Sequence, residues 1–113
     1  MQQYSNSELL AKLTEQDQTA LNYLYIKLFP KVKKMILRLG GDYDNANDVF
    51  QNAIILLYRK AKNNELNQTI MVEKYVVGIC KVVWQKHLSQ EKARSIRNEK
   101  LKHELSPYEQ ETI

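Results

Sequence analysis

Cysteine, proline and glycine are scarce in this chain, with one, two and three of them among 113 residues. A single thiol excludes an internal disulfide and is typical of a protein kept in a reducing compartment. So few turn-forming residues exclude a β-sandwich or barrel, which needs a turn about every ten residues. Alanine, leucine, lysine, glutamate and glutamine, which favour helices, are common instead. We therefore expect one small all-α domain.

Membrane-spanning and secretory segments are also missing from the sequence. No apolar run approaches the roughly eighteen residues of a membrane span, and the polar N-terminus lacks the basic and apolar regions of a signal peptide. There is no glycine-rich phosphate loop, no pair of catalytic carboxylates and no cluster of metal ligands. We expect a cytoplasmic protein without membrane insertion, which is not an enzyme and needs no cofactor or metal.

The spacing of the apolar residues predicts four helices, packed as a compact bundle with a long C-terminal helix. The first spans about residues 6–13 and begins at Asn6 or Ser7, which have the side chains of helix caps. The second spans about residues 17–39. Because Pro30 lacks a backbone donor, we expect a kink or a break near it.

Glycine and capping residues separate the second and third helices. Gly40 and Gly41 end the second helix, because glycine accepts the left-handed conformation that commonly follows a helix. The third helix then begins at Asp44 or Asn45 and continues to about residue 62.

The fourth helix begins near residue 70, with Asn67 or Thr69 as its cap, and continues into the high nineties. Pro107 and the polar composition around it predict a linker or a disordered tail after that point. The predicted organisation is a short N-terminal helix in residues 1–16, a helical domain in residues 17–97 and the tail in residues 98–113.

The stretch "NANDVFQNAIILLYRK", residues 45–60, has an apolar residue on the polar side of an amphipathic helix. At about 3.6 residues per turn, the core stripe consists of Ala46, Phe50, Ala53, Leu57 and Ala61. The opposite side has Ile55 at its centre, surrounded by Asp48, Gln51, Asn52, Arg59 and Lys62. An apolar centre with a polar rim is typical of a docking surface, but a single exposed isoleucine is also common on ordinary surfaces. Both interpretations stay open here.

The fourth helix has a basic side and an apolar side. One narrow sector contains no acid and consists of Lys74, Gly78, Lys81, Gln85, Ser89 and Lys92. The apolar side predicts burial of Val72, Val76, Val77, Ile79, Cys80, Val83, Trp84 and Leu88. We interpret Cys80 as a packing residue rather than a nucleophile.

Positive charge is concentrated in the second half of this helix. The net charge of the chain is +4, and residues 81–103 alone carry seven Lys or Arg against two acids. A basic strip with amides and a hydroxyl suits a phosphate backbone, and Tyr75 or Trp84 lies near enough to contact bases. Gly78 costs about 1 kcal/mol relative to alanine in a helix, and its missing side chain leaves room for another backbone. A solvated helix face is the alternative interpretation.

Three stretches resemble region two of the extracytoplasmic-function (ECF) type of sigma-70 family factors, which direct bacterial RNA polymerase to promoters. They are "ALNYLYIKLFPKVKKMILRLGGD", "DNANDVFQNAIILLYRK" and "YVVGICKVVWQKHL". The likeness covers about residues 17–94, in the order and spacing of the family. The matching positions are Tyr25, Pro30, Gly41, Asp48, Gln51, Tyr75, Ile79 and Lys81.

The resemblance implies two binding faces and two or more partners. The outer side of the third helix would bind the coiled coil of the polymerase β′ clamp through Asp48, Gln51, Asn52, Ile55 and Arg59. The fourth helix and the loop of residues 63–68 would recognise and open the minus-ten promoter element and hold its non-template strand. The DNA-binding residues would be Asn63, Asn64, Asn67, Lys74, Tyr75, Lys81, Gln85, Lys86, Ser89, Lys92, Arg94 and Arg97. An anti-sigma factor is a further partner that the resemblance implies.

The chain departs from the family pattern at three positions and in its length. Asn52 replaces the usual glutamate after Gln51, Val82 replaces an asparagine, and Ser89 replaces a common arginine. No region four follows, so we expect either one domain of a longer protein or a stand-alone relative of region two. Three functions are therefore compared: a transcription initiation module, a sigma-like or anti-sigma regulator that binds its partner without melting DNA, and an unrelated helical protein with a basic face.

Overall fold

A computed structural model of the chain describes the backbone of residues 3–112 and the side chains of residues 3–101. Its elements are α1 (Asn6–Thr14), α2 (Gln18–Arg38), α3 (Tyr43–Lys62) and α4 (Val72–Thr112), with no strand among the described residues. This confirms the all-α class and the long C-terminal helix. The chain divides into two units, Met1–Val83 and Trp84–Ile113.

The core of the first unit uses one buried stripe from each helix. The stripe predicted on α3 is confirmed, since each of its five residues is no more than 1% exposed. From α1, α2 and the start of α4 come Leu9, Leu13, Leu24, Leu28, Ile36, Val72, Val76 and Cys80, all fully buried. Burying each leucine- or valine-sized side chain contributes about 1.5–3 kcal/mol, so this core holds the helices in register.

The N-terminal caps of α1 and α3 differ from those predicted by one to three residues. Ser5 caps α1 by accepting a hydrogen bond from the backbone N–H of Glu8 at 3.2 Å. Asp17 caps α2. Asp42 caps α3 and forms a capping box with Asn45, whose side chain accepts from the Asp42 N–H at 2.9 Å. The predicted caps at Asn6 or Ser7 and at Asp44 or Asn45 are therefore wrong. The side chains of Ser5 and Asp42, which come earlier in the chain, accept from the free N–H groups of the first turn instead.

The first three helices end in the same hydrogen-bond pattern. The residue after each C-cap has a positive φ: 62° at Gln16, 92° at Gly40 and 55° at Asn64. At the end of α2 the N–H of Gly41 donates to the carbonyl of Ile36 at 2.8 Å, and the ends of α1 and α3 have equivalent bonds. This is the Schellman motif, which satisfies carbonyls that the helix leaves free. The prediction of a left-handed glycine after α2 is confirmed at Gly40.

Proline does not interrupt either of the helices in which it occurs. Helix α2 is continuous through Pro30, so the predicted break is not found. Helix α4 continues past Pro107 to Thr112, so its predicted end in the high nineties is wrong, and the backbone is helical where a tail was expected.

Candidate functional site: two exposed helix faces

The outer side of α3 has the composition that its periodicity predicted. Asp48, Gln51, Asn52 and Arg59 are all exposed, and Ile55 between them is 48% exposed. The polar ring around an apolar centre therefore exists in three dimensions. We call these five residues the docking face.

The charges near the docking face are available to a partner. Among the described residues, Asp48, Arg59 and Lys62 form no ion pair within 4.0 Å. Acidic residues lie toward the N-terminus of α3 and basic residues toward its C-terminus, as the helix dipole favours. A complementary partner would present basic groups to Asp48 and acidic groups to Arg59.

Asn47 connects the docking face to α2. Its side-chain oxygen accepts a hydrogen bond from the hydroxyl of Tyr25 at 3.1 Å and another from the amide of Gln51 at 3.4 Å. Sequence reasoning missed Asn47 as part of the site. The i, i+4 spacing of Asn47 and Gln51 was a usable sequence signal for their contact. No sequence signal indicated the contact with Tyr25, which is 22 residues away along the chain.

An aromatic cluster supports this connection. The ring of Tyr25 stacks on Phe29 with centroids 5.1 Å apart and meets Phe50 edge-on at 5.3 Å. Phe29 also meets Tyr43 edge-on at 5.8 Å. Because stacked and edge-on pairs are favourable geometries, the cluster holds the ring of Tyr25 in place. The hydroxyl of Tyr25 in turn positions the side-chain oxygen of Asn47 that accepts from Gln51.

A shallow groove of about 420 Å³ opens beside the C-terminal end of the docking face. Its walls include Leu21 from α2 and Ile54, Ile55, Tyr58, Arg59 and Lys62 from α3. The hydroxyl of Tyr58 donates to the side chain of Gln16 at 2.9 Å, which ties α3 to the turn after α1. The groove gives the docking face an apolar recess with two basic residues at its edge.

In the first unit, two of the predicted DNA-binding residues of α4, Lys74 and Lys81, lie on one side of the helix, and the third, Tyr75, is more than a quarter turn away. Lys74, Gly78 and Lys81 are exposed and fall within the same sector, while Tyr75 next to them is half-buried. In the preceding loop, Asn63, Asn64 and Asn67 are exposed. Two of these asparagines have structural roles of their own, since Asn64 forms the left-handed turn after α3 and Asn67 accepts from the N–H of Thr69 at 2.9 Å.

In the second unit the predicted DNA-binding residues are exposed but do not share one side. Gln85, Ser89 and Lys92 align along the helix, whereas Lys86 and Arg97 are about a quarter turn or more away. Arg94 lies on the opposite side, 4.0 Å from the carboxylate of Glu91. The aligned triplet is the stronger candidate for following a phosphate backbone.

The apolar side of α4 is narrower than predicted. Trp84 is 3% exposed and stacks on His87 with ring centroids 5.1 Å apart, so its ring is not available to a base in this structure. Val77 and Ile79 are half-buried, and the prediction of burial is wrong for Val83 and Leu88, which are exposed. Among the described side chains of α4, the buried ones are spaced by about one turn, as expected where a helix packs along a single stripe.

The thiol of Cys80, the single cysteine, has low reactivity in this structure. Cys80 is fully buried, and burial raises the pKa of its thiol to about 12. A fully buried thiol with a raised pKa reacts poorly at neutral pH, in agreement with the interpretation of Cys80 as a packing residue. Among the described residues, no group of three His, Cys, Asp or Glu side chains is arranged to hold a metal ion.

Comparison with known protein families, curated proteins and solved structures finds no match for this chain. Within the described residues, none of the helices combines the length and apolar character needed to cross a membrane.

Proposed function

We propose that this chain acts as region two of an ECF-type sigma factor. It binds the β′ clamp of bacterial RNA polymerase through the docking face, and it recognises and opens the minus-ten promoter element with α4 and the loop before it. The observation that carries the proposal is Ile55, an exposed isoleucine at the centre of exposed polar side chains. Asp48 and Gln51 stand beside it at the spacing of the family pattern.

The apolar side chain of Ile55 costs free energy as long as it stays in water. An interface that covers it gains the free energy of apolar burial, while the amides of Gln51 and Asn52 and the charge of Arg59 can bond to the partner at the rim. Gln51 is already held by Asn47, so less side-chain entropy is lost when it binds.

The proposed attraction between α4 and DNA is electrostatic. Lys74 and Lys81 are exposed in the first unit, and they form no ion pair within 4.0 Å among the described residues. Lysines that neutralise phosphates release counterions from the nucleic acid, so their contribution falls steeply as salt rises.

Binding to a purified fragment of the β′ coiled coil tests the docking proposal. We expect Ile55→Asp and Gln51→Ala to weaken binding by tenfold or more, because buried centres of interfaces carry most of the affinity. Ile26→Asp is the matched control, since Ile26 is also exposed, at 56%, but lies on α2 outside the docking face. The proposal is contradicted if both docking-face variants bind the fragment with wild-type affinity, or if the wild type does not bind it at all.

A labelled single-stranded minus-ten oligonucleotide tests the DNA role. We expect affinity to fall steeply with salt, and Lys81→Ala to weaken binding and reduce the salt slope by about one. Lys34→Ala, an exposed lysine of α2 outside the predicted set, is the control. A salt-independent affinity would exclude the strand-binding role.

The second candidate function is a sigma-like regulator that binds polymerase or a sigma or anti-sigma partner without melting DNA. The observation that favours it is Val82, which is 64% exposed beside the basic sector, where the family has a hydrogen-bonding asparagine. A valine there cannot bond to a base or phosphate. Clamp binding without oligonucleotide binding in the two assays would select this function.

A further inference from the structure

A second groove lies in the first unit, between α2 and the first turns of α4. Its volume is about 650 Å³. The residues that line it include Leu28 and Lys31 from α2, Met71 just before α4, and Lys74, Val77 and Gly78 from the first turns of α4. None of these residues belongs to the docking face.

The floor of this groove is aliphatic. Leu28 is fully buried, Val77 is half-buried, and Met71 is 53% exposed. Methionine is flexible and polarisable and therefore adapts to the shape of an apolar partner. None of the described residues that line the groove is aromatic, so they offer a nucleobase no ring to stack on.

The edge of the groove is positively charged. Glu73 also lines it, but Lys27 pairs with this carboxylate at 3.2 Å and compensates its charge. Lys31 and Lys74 form no such pair within 4.0 Å among the described residues. The groove therefore has an uncompensated lysine on each wall, which suits a partner with carboxylates on both sides of an apolar stripe.

Gly78 at this groove is not explained by the fold. Its φ is not positive, and a Cβ built there meets no atom within 4 Å, so neither a turn nor tight internal packing requires glycine. Glycine is unfavourable in the interior of a helix relative to alanine or leucine. What glycine does provide is close access to the backbone of α4 for another chain.

We propose that this groove binds an acidic amphipathic helix of a protein partner. Apolar side chains of that helix lie on Met71 and Val77, its backbone passes over Gly78, and its carboxylates pair with Lys31 and Lys74. From Met71 to Gly78 the wall is about 10 Å long, which accommodates two turns of a helix. Addition of a strand is disfavoured, because the described residues of this chain offer no strand edge.

The occupied groove has a consequence for DNA binding. Lys74 belongs both to the groove and to the proposed DNA-binding residues, so an acidic helix and a nucleic acid strand would compete for it. The proposal does not depend on polymerase binding.

The test uses two synthetic amphipathic peptides with leucines at i, i+3, i+4 and i+7, one with glutamates and one with lysines at the flanking positions. We expect the acidic peptide to bind and the basic peptide not to bind. Lys31→Glu should weaken binding of the acidic peptide at least tenfold, whereas Lys34→Glu, with its exposed lysine outside the groove, should not.

Gly78→Leu separates binding from folding. Leucine favours the helix, so this variant should have a higher midpoint of thermal unfolding, and yet it should bind the acidic peptide at least tenfold more weakly. Absence of acidic-peptide binding, or equal affinity for wild type and Gly78→Leu, overturns the proposal. So does a result in which Lys31→Glu and Gly78→Leu weaken binding of a single-stranded oligonucleotide but not of the peptide. Ile55→Asp lies outside this groove and should leave the affinity for the acidic peptide unchanged. The peptide assay therefore distinguishes a failure of this proposal from a failure of polymerase docking.

Discussion

Asn6, the first residue of α1, caps α4 from a distance of 66 residues along the chain. Its side-chain oxygen accepts a hydrogen bond from the backbone N–H of Val72 at 2.9 Å, and its amide donates to the carbonyl of Ile70 at 2.7 Å. The predicted local caps of α4 do not serve this purpose, since Asn67 bonds to the N–H of Thr69 instead. The start of α4, and with it the position of the candidate DNA-binding loop, therefore depends on α1.

Asn6→Ala should lower the free energy of unfolding by about 1–2 kcal/mol, because it removes a helix cap and leaves a carbonyl without its donor. Urea denaturation measures this loss, with Asn22→Ala, an exposed asparagine of α2, as the control. Hydrogen exchange at the Val72 amide should accelerate more than at amides in the middle of α3. Unchanged exchange at Val72 would show that the cap does not hold α4.

The left-handed residue after α3 allows a DNA contact to be tested without damage to the fold. Asn64 has a φ of 55°, so Asn64→Ala should cost about 1 kcal/mol of stability, while Asn64→Gly should be neutral or stabilising. The control is Asn63→Ala, since Asn63 has a negative φ of −90°. If Asn64→Gly then binds the minus-ten oligonucleotide more weakly, the lost amide contacted the strand. Equal stability of the Ala and Gly variants would contradict the assigned turn.

The connection from Tyr25 through Asn47 to Gln51 predicts coupled effects on clamp binding. Asn47→Ala should weaken binding by less than Gln51→Ala, because it frees the amide of Gln51 without removing it. The double variant should lose less than the sum of the two single losses, as residues in one hydrogen-bond network do. A double-mutant cycle on the β′ fragment measures this, and strictly additive losses would show that Asn47 does not orient Gln51.

Periodicity predicted what lies on each side of a helix, and it failed where contacts cross between helices. Ile55 and the buried stripe of α3 follow from helical spacing alone. Several nearby Ser, Asn and Asp residues can cap α1 and α3, and spacing alone does not decide among them. Tertiary packing places Asn6 at the start of α4, where it caps that helix instead of its own. The contact between Tyr25 and Asn47 and the exposure of Val83 likewise depend on how helices pack, which spacing does not encode.

The buried thiol of Cys80 predicts a loss of stability in alkali. Burial raises its pKa from the ordinary 9.0 to about 12, so above about pH 9 the unfolded chain loses a proton that the folded chain keeps. The free energy of unfolding therefore falls as pH rises between these values, by about 1.4 kcal/mol from pH 8 to pH 10 on account of this group. Cys80→Ala lacks the effect, so the difference between the two urea-denaturation profiles isolates it from other groups that titrate there. In the folded protein at pH 8 the thiol should also resist a disulfide reagent until denaturant is added. Parallel profiles together with rapid native labelling would show that Cys80 is accessible and not a core residue.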